Sequence, residues 1–393
     1  MKHLLSKTIK NIKISAIREI GNKVANDPSI INLTIGQPDF VTPDSILEAG
    51  KRAIDACKTG YTHNSGVLEL RQAAADFVRR RYQLNYRPED EILITMGASE
   101  ALDIAFRTIL EPGDEVILPA PIYPGYEPLI RMCYATPVFV DTRQNNCKIT
   151  AKLIDENLTE KTKCVVLPYP SNPTGAMLEA HELEEIADLL RGKEIFVISD
   201  EIYSELTYGL KHISIASYPE MKEQCIVING LSKSHAMTGW RIGFTLAPAF
   251  ITEEMFKVHA FNCVCASSVS QYAAIEALNH DLPEVEEMRQ QYEKRRNYIY
   301  QCITDMGLEA IKPEGAFYLF VSIEKTGLSS NEFILQLVEE AKVALIPGHG
   351  FSEYGEGYIR ISYACSMEKL EEAMKRMQQF VQPLLKKVPV EVD

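Results

Sequence analysis

Residues 194–201 read EIFVISDE, an apolar run of strand length that closes on Ser199, Asp200 and Glu201. The middle of the run offers no polar face, so a strand here has to be covered on both sides. Similar runs occur at EILITMG (91–97), EVILPAP (115–121), KCVVLPYP (163–170) and CIVINGLS (225–232). Between them lie amphipathic patterns such as SEALDIAFRTIL (99–110) and ELEEIADLLR (182–191). Strands apolar on both faces, alternating with helices, predict an α/β domain in three layers, α/β/α, around a mostly parallel sheet.

From about residue 285 the texture changes to EVEEMRQQYEKRRNYIYQCITDMG, which predicts a long amphipathic helix with its charges on one face. Strand-like AFYLFVSI (316–323) and YIRISYA (358–364) follow, with helical patterns over 331–342 and 366–384, as in a smaller α+β domain. The N-terminal segment contains the turn-rich LTIGQPDFVTP and is expected to dock with it. The predicted division is therefore 1–45 (arm and part of the small domain), 46–285 (large domain) and 286–393 (small domain), in keeping with a chain of 393 residues.

Composition narrows the function classes. A net charge of −13 argues against a general nucleic-acid surface, which needs clustered Lys and Arg. No apolar run reaches the length of about 18 that spans a bilayer, and the basic start lacks the apolar core of a signal peptide. Nine cysteines without a CxxC pair fit neither a disulfide framework nor a zinc ribbon, so reduced thiols in a cytoplasmic protein and no metal site are expected. The sequons at Asn32 and Asn157 read as chance matches.

In open parallel sheets, ligands bind beyond the carboxyl ends of the strands, so the polar residues that close each run are the candidates. MGASE (96–100) puts Gly97, Ala98 and Ser99 at a strand-to-helix junction, where free amides can hold an anion; the alternative is an ordinary turn capped by Ser99. Asp200 ends an apolar strand and needs a partner, unless it caps a helix after it, on which Tyr203 would share its side. Asn172 lies in PSNPTG, stiffened by two prolines: a firmly held hydrogen-bonding group, or an Asx-type turn. No G-x-G-x-x-G and no Walker A pattern occurs.

GLSKSHAMTGWRIG (230–243) supplies the nucleophile candidate. Lys233, flanked by small residues near other cations, can have a lowered pKa and attack a carbonyl. Arg241, eight residues on, offers a planar fork suited to phosphate. Either residue alone reads as a solvated charge, but that reading leaves the pair beside three other polar strand ends unexplained.

Residues 230–243 match the lysine signature of the class I/II aminotransferases, and SNPTG, SDEIY and GYIRISYA resemble that family's asparagine, aspartate–tyrosine and carboxylate-arginine motifs in the expected order. The resemblance runs from about residue 10 to 385 and implies the fold-type I architecture with pyridoxal 5′-phosphate as cofactor. It is nearest to the subgroup that acts on N-acetyl-L,L-diaminopimelate in lysine synthesis.

By that resemblance Lys233 would carry the cofactor, and Arg241 with the amides of Gly97, Ala98 and Ser99 would hold its phosphate. Asp200 would keep the pyridine nitrogen protonated. Tyr203 and Asn172 would bond the phenolic oxygen, and Tyr123 would stack on the ring. Arg360 would grip the substrate α-carboxylate, aided by Gly36, while Ile35, Phe40, Phe317 and Tyr318 would shape side-chain specificity. Tyr61 would reach the phosphate of a neighbouring subunit, which implies a homodimer with shared sites. Gly230 departs from the pattern, since some relatives have a phosphate-binding Ser there; Ser232 is the substitute considered.

The implied reaction moves an amino group between an amino acid and a 2-oxo acid, 2-oxoglutarate in the first place, by ping-pong kinetics with Lys233 as base and acid. Closure of the small domain and the IGQPDF loop would exclude water. Aromatic, alanine or aspartate transamination, a lyase with the same cofactor and a non-catalytic effector-binding module remain alternatives.

Overall fold

Cys164, Val166, Ile198, Ile226 and Ile228 point into one apolar cluster, whereas Val165, Leu167, Val197 and Val227 point into another. Successive strand residues face opposite ways, so these strands bury both faces, as their unbroken apolar runs require. The computed structural model describes residues 1–12, 20–21 and 27–386. The remainder of the basic N-terminal stretch and the last seven residues lie outside the described residues.

Along the chain the strands are β1 (Ile31–Asn32), β2 (Ile92–Thr95), β3 (Glu115–Ala120), β4 (Thr136–Asp141), β5 (Thr162–Leu167), β6 (Phe196–Asp200), β7 (Cys225–Gly230), β8 (Gly243–Leu246), β9 (Glu309–Ala310), β10 (Tyr318–Ser322), β11 (Val343–Ala344), β12 (Ile346–Pro347) and β13 (Tyr358–Ser362). Seven form the central sheet in the order β2-β8-β7-β6-β5-β3-β4. Only β8 runs against its neighbours; the contiguous run from β7 to β4 is parallel throughout. The expected α/β architecture is thus observed, with helices Leu68–Tyr82, Ala180–Leu190 and Ser268–Asn279 on one face and Ala98–Ile109, Tyr126–Met132 and Ala249–Asn262 on the other.

A second, antiparallel sheet has the order β12-β13-β10-β9 and packs with helices Pro283–Asp305 and Met367–Leu385 into a third apolar cluster. β1 pairs in parallel with β11, and the Ser362 amide donates to the Leu33 carbonyl at 3.0 Å. The segment leading to IGQPDF is therefore tied to this second unit by backbone bonds. Tyr203, Leu206 and Tyr208, from the loop after β6, also pack in the third cluster and join the two units.

Three local expectations need correction. The long helix starts at Pro283, a good first-turn residue, but its charges do not all face solvent. Arg295 and Arg296 are buried: Arg295 pairs with Asp39 at 2.8 Å, and Arg296 donates to the Pro313 carbonyl. The pattern over 331–342 splits into an α-helix, Ser330–Gln336, and a π turn, Leu337–Ala341. After Asp200 the chain makes turns rather than a helix.

Close backbone packing fixes where β2 delivers the following helix. Gly97, at φ +79, precedes helix Ala98–Ile109, and a Cβ built on Gly243 would sit 2.7 Å from the Gly97 carbonyl carbon and 2.8 Å from the Ala98 nitrogen. Only glycine lets β8 pass that close. Gly243→Ala should therefore destabilise the protein by about 1–3 kcal/mol in urea-induced unfolding, whereas Gly60→Ala, with nothing within 4 Å, should stay within about 0.5 kcal/mol. Equal effects of the two substitutions would contradict this packing.

Candidate active site

The carboxyl ends of β2, β5, β6 and β7 open into one cavity of about 340 Å³. Gly36, Ala98, Ser99, Tyr123, Asn172, Asp200, Tyr203, Ser232, Lys233, Arg241 and Arg360 all contribute to its wall. Gly97 sits immediately behind the wall, against Arg241. Ile35 and Tyr61 are not brought to the cavity; both are exposed, Tyr61 at 87%. Phe317 is buried in the core, and Phe40 packs edge-on to Tyr292.

The turn after β7 carries Lys233 into the cleft, where its Nζ donates to the Gly36 carbonyl at 2.6 Å. Burial, and then the positive charges of Arg241 and Arg360, outweigh the attraction of Asp200 and bring the amine down to about 8. At pH 7 a group of that pKa is neutral in about one molecule in ten, against roughly one in three thousand for an ordinary lysine. The local setting of Lys233 thus prepares an amine for attack on a carbonyl.

At the other end, helix Ala98–Ile109 begins without a side-chain cap, so its first amides have no intrahelical acceptor. Ser99 lies inside the helix and does not cap it, contrary to the ordinary-turn alternative. Arg241 donates to the carbonyls of Thr238 at 3.0 Å and Met96 at 3.3 Å, which aims its fork across that helix start. A Cβ on Gly97 would fall 2.7 Å from Arg241 Nη2, so glycine is what leaves room for the fork. Gly230 has no hydroxyl to offer a phosphate, and a side chain there would meet Gly243 Cα at 2.9 Å; Ser232 lines the cavity.

Asp200 is buried at the end of β6. Its Oδ2 accepts from Tyr126 Oη at 2.7 Å and its Oδ1 from the Ile202 amide at 3.2 Å. Burial raises its pKa, while the Tyr126 bond works in the opposite direction. Arg360, on β13, is only 1% exposed. It donates to Asn172 Oδ1 at 3.0 Å and to the Thr34 carbonyl at 2.6 Å, and lies 4.4 Å from the centre of the Tyr318 ring. Its Nε has no hydrogen-bond partner among the described residues. Among the described residues no carboxylate lies within ion-pair distance of Arg360 or Arg241.

Tyr318 also bonds Tyr203 Oη at 2.8 Å and closes over Gly36, where a Cβ would meet its hydroxyl at 2.7 Å. Tyr126 was not foreseen from sequence. Its partner is 74 residues away, and the only local signal is the Pro-Gly turn that begins its helix.

A cleft with two unpaired guanidiniums and a lysine, in a chain of net charge −13, is built to take anions. The model for "Aminotransferase class I and II" matches residues 28–377. The chain belongs to that family. A Bacillus subtilis (strain 168) protein named "Probable N-acetyl-LL-diaminopimelate aminotransferase" is 55% identical over 97% of this chain and 96% of its own length. The aromatic-amino-acid aminotransferase 2 of Thermococcus litoralis is 41% identical, over 95% and 97%. Among solved structures, the aspartate aminotransferase of Thermus thermophilus with maleate superposes with a TM-score of 0.91 at 33% identity, covering 95% of this chain and 99% of that one.

The protein is therefore an aminotransferase that uses pyridoxal phosphate. The residues fit that cofactor: uncapped amides and Arg241 suit a phosphate, buried Asp200 suits a protonated pyridine nitrogen, and Lys233 has the amine for the aldehyde. Competitive acetylation of the cofactor-free protein across pH should show Lys233 reacting with an inflection near 8. Arg360→Gln, which removes one of the depressing charges, should move that inflection upward. An inflection at the ordinary lysine value would contradict the electrostatic reading.

Proposed function

We propose that the enzyme transfers the amino group of N-acetyl-L,L-diaminopimelate to 2-oxoglutarate by a ping-pong cycle. Arg360 carries the reading: a fully buried guanidinium that has, among the described residues, no partner for its Nε and no carboxylate partner, in the same cavity as Lys233. It is placed for the carboxylate common to both substrates, by a bidentate pair. The choice of donor is supported by the 55% identical relative of that name. Relatives near 41% identity named for aromatic amino acids and aspartate favour those donors as the second reading.

Bound at this site, pyridoxal phosphate supplies an electron sink for the pair left when the substrate Cα loses its proton. Lys233 Nζ holds and moves that proton, neutral when it receives it and cationic when it returns it. Asp200 would hold the cofactor's ring nitrogen in its protonated form, with its carboxylate oriented by the bond from Tyr126. Tyr203 and Asn172 would donate to the phenolic oxygen, Tyr123 would stack on the ring, and the amides of Ala98 and Ser99 with Ser232 and Arg241 would hold the phosphate; the Gly97 amide, expected to join them, already donates to the Thr95 carbonyl at 2.8 Å. The Gly36 carbonyl, which holds Lys233, lies on the segment tied to the second unit through β1 and β11. Movement of that unit, with divisions near residues 45 and 285, would then release the amine and exclude water together.

A homodimer belongs to the same proposal. The loop 60–64 is docked on the segment 264–271 by Asn64 to the Val264 carbonyl and Ser268 to the Gly60 carbonyl. Tyr61, Phe261 at 93% exposure and Val264 are apolar groups on or beside that surface, which suits a second copy receiving Tyr61 in its phosphate site. Nine unpaired cysteines support a reducing, cytoplasmic setting. No helix among the described residues is long and apolar enough to cross a membrane.

Steady-state comparison of N-acetyl-L,L-diaminopimelate, aspartate, phenylalanine and alanine as donors tests the substrate. The first should have the highest kcat/KM, with stoichiometric glutamate and no ammonia; ammonia release would favour a lyase. Lys233→Ala should lower kcat by about 10³-fold or more, and Arg360→Ala should lower kcat/KM by roughly 100-fold. An unchanged kcat/KM in the latter would remove the carboxylate anchor.

A further inference from the structure

Behind the phosphate-holding turn, three side chains of metal-ligating type meet. Glu100 is in the first turn of helix Ala98–Ile109, His259 is in the last turn of helix Ala249–Asn262, and Cys263 follows it. Their ligand atoms lie within 4.8 Å of one another. His259 Nδ1 is 2.8 Å from Glu100 Oε1, and Cys263 Sγ is 3.1 Å from the same oxygen and 3.5 Å from Nδ1.

The histidine is fully buried, and its Nε2 lies 2.9 Å from the Asn64 carbonyl. A carbonyl only accepts, so Nε2 carries the hydrogen and Nδ1 faces the carboxylate and the sulfur. An outer bond of this kind is how metal-bound imidazoles are oriented. Lone pairs from nitrogen, oxygen and sulfur then converge, and either an added proton or a cation has to sit among them.

For tetrahedral zinc, bonds of about 2.0 Å to nitrogen and oxygen and about 2.3 Å to sulfur give N···S edges near 3.5 Å and N···O edges near 3.3 Å. The nitrogen–sulfur edge already has that length; the Glu100 oxygen has to draw back by about half an ångström. We propose that Glu100, His259 and Cys263 form a site for a thiophilic divalent cation of the Zn2+ class, with the fourth position open to water. The ligands come from two helices 159 residues apart in sequence, which is why no cysteine spacing announced a metal.

A thiol binds such a cation only after losing its proton, so affinity rises with pH. Glu100 Oε2 also accepts from the Met96 amide at 2.5 Å, which seats the cation one residue behind the phosphate cradle. The proposal is independent of the identity of the amino donor.

The test is titration of the holoenzyme with Zn2+ against a chromophoric chelator, and with Co2+ followed through its visible bands, which fall to the red of the cofactor. Wild type should bind one equivalent, give the spectrum of tetrahedral thiolate-bound cobalt, and bind more tightly as pH rises. Cys263→Ser and His259→Gln should each lower the intensity of the visible tetrahedral cobalt bands and weaken Zn2+ by at least about tenfold. If His259→Gln fails to fold, the half-buried Cys263→Ser decides alone. Binding by wild type no tighter than by Cys263→Ser, or an octahedral cobalt spectrum only, overturns the proposal.

Discussion

Everything in the cleft answers to one electrostatic constraint: a lysine and two arginines share it with a single carboxylate close at hand, Asp200. Neither arginine has a carboxylate partner among the described residues, and Arg360 is buried as well. Such an arrangement is costly in an empty protein, because like charges repel and a buried guanidinium loses its water. Anions entering the cleft would offset that cost, as the proposed phosphate and carboxylate ends require. Burial first, and this repulsion after it, keep Lys233 partly neutral at physiological pH, which is the state that chemistry at a carbonyl requires.

The fold supplies this constraint by geometry rather than by any one motif. Parallel strands deliver their carboxyl ends to one edge, so the turns after β2, β5, β6 and β7 converge although they are far apart in sequence. Gly97, Gly230 and Gly243 then let three backbone segments stack closely enough for Arg241 to reach across the helix start. Arg360 and the Gly36 carbonyl arrive from the second unit and the N-terminal segment, so the site straddles the joint between units. The proposed closure would couple ligand capture to movement at this joint.

How much of this was legible in the sequence follows from where each residue sits. Asp200, Asn172 and Lys233 each close or follow an apolar strand run, which made them candidates, and Arg241 entered through its guanidinium fork eight residues beyond Lys233. Arg360 lies inside a strand of the other sheet and Gly36 in a loop, so only the family resemblance pointed to them. Tyr126 was invisible because its importance lies in a bond to a carboxylate 74 residues on. Arg295 and Arg296 were misplaced because helical periodicity cannot tell a solvated arginine from one buried against Asp39 or a carbonyl. The turn after Asp200 was read as a possible helix because short-range spacing fits both, and the packing of Tyr203 against Phe317 and Tyr318 decides it.

Among the described lysines Lys233 is the one whose pKa is lowered, and it is the one proposed to take the cofactor. Incubation with pyridoxal phosphate, reduction with borohydride and peptide mass mapping test it most directly. The account predicts one cofactor fixed per chain, on the peptide that contains Lys233. Fixation on a different lysine, or no fixation at all, would contradict it.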